Sequence, residues 1–431
     1  MYFPKINKDD GYTVFTLCRN KMDELFDDFI PEGVNERLND ELSAMQKTDS
    51  SVCFLIAKCF AEESAKQGYP ISSRGTVGST LIAWLLGITD INPLKPHYYC
   101  DKCKHFDFAV GVADGYDLPN RPCPKCKAVM KGDGHNIPFH SLFGFDGDKI
   151  PDVDINVAPE VQAQAGDILR KLFPDAKIVR GGTTQHDGSR GVHPGGFFII
   201  PAEHADNVPT LKLADGDKTV LITEQDSYDL HDTYLKMDIL GHSTPEKLAR
   251  LAERTGVDLA KIPMNDVAVM NMFQKASTNN IPEFDTEFVK DMLEICKPIS
   301  FFDLCKISGL SHGTGVWIGN ARALIEDGVA PLRDTLAFRE DVFEMLTDCD
   351  MDDSEAFQIA EIVRKGKASI ELEAAVFEEY NLPDWFYPSS RKIRYMFPKA
   401  HGVSYVKMAV QMMWFNVYHT DIFNAVTKDF E

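Results

Sequence analysis

The sequence predicts an α+β protein, with a mixed α/β region to about residue 240 and an all-helical region beyond it. Three observations carry this. Short apolar segments of strand character lie before Gly241: KIPDVDIN (149–156), AKIVRGG, GGFFIIPA, KTVLITEQ and YLKMDIL. After Gly241, apolar residues recur at helical spacing in segment after segment. In the first region, four cysteines form two close pairs. At 431 residues the chain is too long for one typical domain of roughly 100–200 residues.

Residues 1–67 read as a helical start, with Leu38, Leu42 and Met45 at helical spacing and the apolar run VCFLIAKCFAEESAKQG behind them. The glycine-rich turn YPISSRGTVGST (69–80) leads into an apparent helix, LIAWLLGI. Residues 96–131 form a loop-rich insert with the paired cysteines. The strand segments then run to residue 240, so 68–240 is read as one domain carrying that insert. Residues 241–431 form the last domain. Its first helix, 243–256, opens on a capping box of Ser243 with Glu246 and ends at Gly256. Further helices are expected over 264–275, 285–296, 317–328, 338–347, 354–365, 368–380 and 403–419. No internal repeat is evident.

The N-terminal MYFPKINKDDGY lacks the apolar run of a signal peptide. The longest apolar stretch, 406–418, is interrupted by Lys407, Gln411 and Asn416 and is too short to span a bilayer. A soluble, cytoplasmic protein with no membrane partner is expected. The net charge of −21 argues against a dedicated duplex-DNA binder, whose affinity comes from neutralising phosphates. Any nucleic-acid role then needs a local basic site, a metal or a partner; the plain alternative is solubility. Cys18, Cys53, Cys59, Cys296, Cys305 and Cys349 are scattered and read as buried thiols of a reducing compartment.

Cys100-x2-Cys103 and Cys123-x2-Cys126 have the spacing of two zinc knuckles. Four thiolates close a tetrahedral site, so a structural role for one zinc is expected. Asp152 and Asp154, two residues apart in a strand pattern, point the same way and repel, so a cation between them is expected. Asp238, in another apolar strand pattern, would complete a three-carboxylate site for two magnesium ions. The turn from Ser72 to Thr80, with Ser73, Arg74, Gly78 and Ser79, suits a phosphate; a structural cap turn is the simpler alternative. Arg364, Lys365 and Lys367 form one basic cluster before a helix end; Arg391, Lys392, Arg394, Lys399 and His401 form a second, whose mix with Tyr395 and Phe397 suits a nucleotide's phosphates and base. Cations at a helix C-terminus also complement its dipole. HGTG (312–315) and VHPGG (192–196) are histidine-bearing glycine turns that need be nothing more.

Taken together and in this order, the segments from about residue 20 to 418 resemble the PolC-type alpha subunit of bacterial DNA polymerase III. The carriers include YPISSRGTVGST, GITDINPLKPHYYCDKC, DLPNRPCPKC, GHNIPF, GDKIPDVDIN, HPGGFFIIP, HDTYLKMDILGH, ISGLSHGTGVWIGNA, VRKGK and KIRYMFPKAH. The resemblance implies a polymerase-beta-like nucleotidyltransferase palm with a zinc-ribbon insert, followed by helical fingers. It implies that Asp152, Asp154 and Asp238 hold the catalytic magnesium ions. It places Ser73, Arg74, Gly78, Ser79, Arg364, Lys365, Lys367, Lys399 and His401 at the incoming nucleotide. The family's PHP, exonuclease and C-terminal regions have no counterpart in this sequence. At 177–195 a short loop is expected where the family inserts its thumb. Gly315, Gly402, Val403 and Ser404 stand where other residues are expected. The implied function is magnesium-dependent transfer from a dNTP to a primer 3′-hydroxyl, in a compact thumb-less polymerase such as a phage encodes. Primer–template binding is expected to be weak alone, with a second protein in place of the thumb. The alternatives are a nucleotidyltransferase with another acceptor, or an inactive replication scaffold.

Overall fold

The structure is a computed structural model and describes residues 1–27, 29–185, 187–215 and 218–430. The chain forms two compact units. The first comprises Met1–Val77, Leu81–Asp90 and Asp146–Ala249, and the second Gly78–Thr80, Ile91–Phe145 and Arg250–Glu431.

The strands, in chain order, are β1 (Ser72–Ser73), β2 (His97–Tyr99), β3 (Phe106–Phe108), β4 (Arg121–Pro122), β5 (Val129–Asp133), β6 (Ile155–Val157), β7 (Lys177–Thr184), β8 (Arg190–Ile200), β9 (Thr210–Asp215), β10 (Lys218–Asp226) and β11 (Leu235–Gly241). The first unit holds a seven-stranded mixed sheet in the order β1-β6-β11-β8-β7-β10-β9. Two of its pairs, β6–β11 and β7–β10, are parallel. In β11, Leu235, Met237 and Ile239 are buried while Lys236 and Asp238 face the opposite side, as strand alternation dictates.

Helices Asp10–Phe26, Glu32–Lys47 and Ser51–Lys66 belong to the same unit. Glu41 ties the second of them to the segment after the glycine-rich turn. Its carboxylate is fully buried, pairs with Arg37 Nε at 2.6 Å, and accepts the backbone N–H groups of Leu81 and Ile82 at 2.9 Å each. It therefore caps the helix that starts there. That helix is only Leu81–Leu85, after a 3-10 turn at Val77–Ser79, and not the longer one expected.

Two further expectations are corrected in this unit. KIPDVDIN is strand only from Ile155; Asp152 and Asp154 lie in the extended chain leading into it. The stretch 177–195, expected as a short loop, is loop only at its tip: the strands expected at AKIVRGG and GGFFIIPA extend towards each other and pair from Lys177 with Ile200 to Thr184 with Arg190. At the tip the described residues 185 and 187–189 lie outside the paired strands, and His186 lies outside the described residues. The packing requires the glycines that these strands carry. A Cβ at Gly181 would lie 2.2 Å from Ser227 Oγ, and one at Gly195 would lie 2.6 Å from Leu240 Cδ2.

The second unit is mainly helical. The helix Phe301–His312 was not expected, because residues 301–310 are buried on every side and leave no period to read. It packs on Lys399–Tyr418, and both helices carry a glycine against one ring. A Cβ at Gly309 or at Gly402 would lie 2.6 Å from the Phe338 ring, so a larger residue at either position would clash. Gly315 has φ +74° and lies against Lys392 O, which accounts for glycine there as well. The expected 317–328 helix is broken by non-helical backbone at Ile318, Gly319 (φ +68°) and Asn320, and a helix resumes only at Arg322–Glu326. The expected 368–380 helix shortens to Ala368–Glu371 and a 3-10 turn at Ala374–Phe377.

The cysteine-bearing insert packs in this helical unit, as a four-stranded sheet ordered β3-β2-β5-β4. Asp117 anchors it there, accepting the N–H groups of Phe301 (2.7 Å) and Phe302 (3.1 Å) at a helix start. Among the described residues, no helix is long and apolar enough to cross a membrane.

Candidate active site

Parallel pairing of β6 with β11 sets Ile155 beside Ile239. The residues just before them, Asp154 and Asp238, are therefore neighbours. Asp152 sits two residues upstream on the same side. One oxygen from each of the three carboxylates lies within 4.8 Å of the others. Burial, then the charges of Asp152 and Asp238, push the Asp154 carboxyl up to about 7, against the pull of Arg74. Burial and the charge of Asp238 also raise Asp152, although it is the most exposed of the three. Asp154 Oδ1 and Asp238 Oδ1 are buried and accept no hydrogen bond. An acceptor set of this kind, crowded with negative charge and short of donors, fits a hard divalent cation that prefers oxygen ligands.

The sequence did not single out two basic neighbours of the triad. Lys236 Nζ donates to Asp238 Oδ2 at 2.9 Å. The K-x-D spacing on a strand could have revealed it, since both residues share a face. His193, from VHPGG, brings Nδ1 to 3.7 Å from Asp238 Oδ1. Its Nδ1 accepts the N–H of Gly196 at 2.7 Å. The ring lies where a side chain at 196 would begin, since a Cβ there would be 2.7 Å from Nδ1.

The glycine-rich turn flanks the triad on its Asp154 side. Antiparallel pairing of β1 with β6 sets Ser73 beside Ile155. Gly75, at φ +61°, would place a Cβ 3.4 Å from Asp154 Oδ2. The Ser73 hydroxyl is buried and bonded to Thr89 Oγ1 at 2.8 Å. Gly78 and Ser79, also buried, fall in the second unit.

The basic residues expected at the nucleotide divide into two sets within the second unit. Arg364 makes two bonds to Glu361, at 2.8 and 2.7 Å. Burial works upward on Glu361, but Arg364 and Arg339 pull it down to about 2. Lys365 and Lys367 are exposed and pair with Glu361 (3.3 Å) and Glu371 (3.2 Å). Lys399 and His401 are interior instead of lying on a surface. Lys399 Nζ lies 3.3 Å from Asn136 O and 3.7 Å from Glu344 Oε1. The His401 ring stacks on Tyr405, with centroids 4.3 Å apart. His312, of HGTG, donates through Nδ1 to Ser308 O and pairs through Nε2 with Glu283, which fixes a helix end.

The four cysteines converge, with Sγ separations of 3.4 Å (Cys100–Cys126) and 3.5 Å (Cys103–Cys123). Bonds of about 2.3 Å in a tetrahedral zinc site would set sulfurs roughly 3.8 Å apart, so the cluster is close to a metal-ready geometry. The two knuckles are built alike. Lys104 N–H bonds Cys100 O and Lys127 N–H bonds Cys123 O, each lysine at positive φ (57° and 62°). Cys100 N–H and Cys123 N–H return to His105 O and Ala128 O.

Residues 13–190 match the family described as the bacterial DNA polymerase III alpha NTPase domain, and residues 242–380 match the finger domain of the same subunit. The chain is 36% identical to the DNA polymerase III PolC-type of Caldanaerobacter subterraneus, over 98% of this chain and 34% of that protein. It is 36% identical to those of Thermotoga maritima (96% of this chain, 34% of the relative) and Bacillus subtilis (99% and 33%). The chain thus spans about a third of the length of these relatives. The two matched regions and the near-complete coverage of the sequence place this chain in the family of the bacterial DNA polymerase III alpha subunit, PolC type.

Proposed function

We propose that this chain transfers nucleotides from dNTPs to a primer 3′-hydroxyl, with a polymerase-beta-like palm in the first unit and fingers in the second. The observation that carries the reading is the triad of Asp152, Asp154 and Asp238, with its two orphaned oxygens. These carboxylates would hold two magnesium ions. Bound there, the ions would supply Lewis acidity to the attacking hydroxyl and the leaving pyrophosphate. The residues of the chain do the rest. Arg74 and the turn from Ser73 to Val77 present a cation and backbone donors to a triphosphate beside Asp154. Lys236 holds Asp238 in place. The exposed Lys365 and Lys367, with Arg364, Arg391 and Arg394, supply the cationic surface of the second unit. Lys399 and His401 act from inside, by fixing that unit's core.

The hairpin of β7 and β8 is proposed to stand where longer family members insert the thumb. Each alignment to the relatives named above is longer than this chain, at 471 to 480 positions against 431 residues, which fits an internal segment that they alone carry. With that segment absent and a net charge of −21, grip on duplex is expected to be weak and distributive unless a second protein assists. The test is incorporation of labelled dNTPs with magnesium, on primer–template and on primer alone. Template-dependent addition of a few nucleotides per encounter, weakening as salt rises, is the expected result. Incorporation equal on primer alone would point to an untemplated transferase, and none at all to a scaffold.

The cysteine cluster is proposed to be a structural zinc ribbon. Purified, reduced protein should carry one zinc by metal analysis. Cys123→Ser should lower both zinc content and melting temperature, since folding and binding are linked at a closed site. Protein fully folded without zinc would refute this.

A further inference from the structure

The cysteine-bearing insert repeats one short pattern. C-x-K-C-K runs from Cys100 to Lys104 and again from Cys123 to Lys127. Because the two knuckles also fold alike, Lys102 corresponds to Lys125 and Lys104 to Lys127. Lys104 and Lys127 both stand at positive φ, 57° and 62°. Glycine would occupy such a position without strain, and lysine does not. The same strained residue at both corresponding points indicates that its charge is used.

The sulfurs do not take up that charge. Backbone N–H groups donate to them instead, from His105 to Cys103 and from Lys125 and Cys126 to Cys123. Four thiolates on one zinc carry −2, but at buried and half-buried sulfurs. Lys102, Lys125 and Lys127 are exposed, and among the described residues they meet no carboxylate. Lys127 Nζ donates to Pro124 O at 3.3 Å, and Lys104 Nζ lies 5.8 Å from the centroid of the Tyr99 ring.

The acids of the insert are engaged elsewhere. Asp107 pairs with Arg121 (2.7 Å) and His105 (3.2 Å), and Asp114 with His135 (2.7 Å). Asp117 accepts the N–H groups of Phe301 and Phe302, and Asp133 accepts Asn92 Nδ2 at 2.8 Å. Asp258, which faces Lys131, pairs with Lys261 at 3.2 Å. Asp101 is the one acid within the knuckles. Lys365 and Lys367, by contrast, each carry a carboxylate partner. In a chain of net charge −21, the knuckles thus present a local cationic face.

We infer that this face binds the phosphodiester backbone of a nucleic-acid strand, through Lys102, Lys104, Lys125 and Lys127, as a docking surface built by the second unit alone. Charge by itself would also admit an acidic peptide; the choice of nucleic acid rests on the nucleotidyl-transfer reading.

The test is binding of a labelled oligonucleotide to the full chain by fluorescence anisotropy, without magnesium or dNTP, over a salt series. One arm uses a single strand and the other a duplex. Two paired variants are compared with the parent: Lys102→Gln with Lys125→Gln, and Lys104→Gly with Lys127→Gly. Each pair should weaken binding about tenfold at low salt. The plot of log K against log salt should flatten by about 0.9 per lost contact on duplex, or about 0.7 on a single strand. The arm with the larger loss identifies the strand form that docks. Glycine relieves the backbone at 104 and 127, so that pair should keep the zinc content and melting temperature of the parent. Variants that bind as the parent does would overturn the inference. So would loss of zinc in the glycine pair, which would assign the lysines to the thiolates. Polyglutamate competing as well as the oligonucleotide would make the face a peptide surface and overturn it too. Lysine-dependent binding by a parent that incorporates nothing would sink the polymerase reading and leave this surface standing. Incorporation by the parent, with variants that bind equally well, would do the reverse.

Discussion

Asp154→Asn is expected to lose nucleotide incorporation by at least about a hundredfold, roughly 3 kcal/mol of transition-state stabilisation, while the metal-free protein becomes more stable at neutral pH. Both effects follow from one carboxylate. Its pKa in the fold is about 7, against an ordinary value of 3.8. The folded state therefore holds a proton that the unfolded chain has released. Stability of the metal-free parent falls as pH rises from about 4 to about 7, and stays low above that. Asparagine keeps the shape and removes the charge. The gain in melting temperature should be near zero at about pH 4 and largest above about pH 7. Magnesium should raise the melting temperature of the parent and much less that of the variant, because a ligand stabilises only the state that binds it. Asp152→Asn and Asp238→Asn should match it in lost activity. Variants that are destabilised yet fully active would end the catalytic assignment.

Lys399→Ala is expected to destabilise the protein by about 3–5 kcal/mol, the usual penalty for breaking a buried ion pair from one side. Lys399 is 2% exposed. Burial works against its charge, but Glu344 first, then Asp341, Asp114 and Glu340, raise its pKa above the usual 10.5. The stabilisation is therefore fully present below about pH 10 and is lost only as pH rises through the folded pKa, outside the working range. Removing the ammonium leaves Glu344, itself raised by burial, without its cation. Lys399→Met combined with Glu344→Gln should recover much of the loss, which a double-mutant cycle measures. A variant that melts like the parent and only needs more dNTP would restore the surface role read from the sequence.

The difference between these two residues shows what the sequence made legible. Asp152, Asp154 and Asp238 were readable as neighbours because alternate residues of extended chain share a face, whether the chain is paired, as at Asp238, or only leads into a strand, as at Asp152 and Asp154. The cysteine knuckles were readable because their spacing is local. Lys399 looked like part of a basic surface because sequence shows charge but not depth. Its partners Asn136 and Glu344 lie 263 and 55 positions away. The helix Phe301–His312 escaped notice because a helix buried on all sides has no polar stripe. His193 was visible only as a turn. Its place beside Asp238 depends on the register of β8 with β11, a long-range pairing that no short segment encodes.

The hairpin of β7 and β8 also bears on how such a chain can change in length. Its strands are locked together up to the pair Thr184–Arg190. Whatever occupies the tip is tethered at two points only about 5 Å apart, the spacing of paired strands. Lengthening such a connection adds only about 0.6 kcal/mol per doubling in closure entropy. The tip is thus a splice point: a whole folded module could be gained or lost there as a cassette, and the strand carrying Asp238 would keep its neighbours either way.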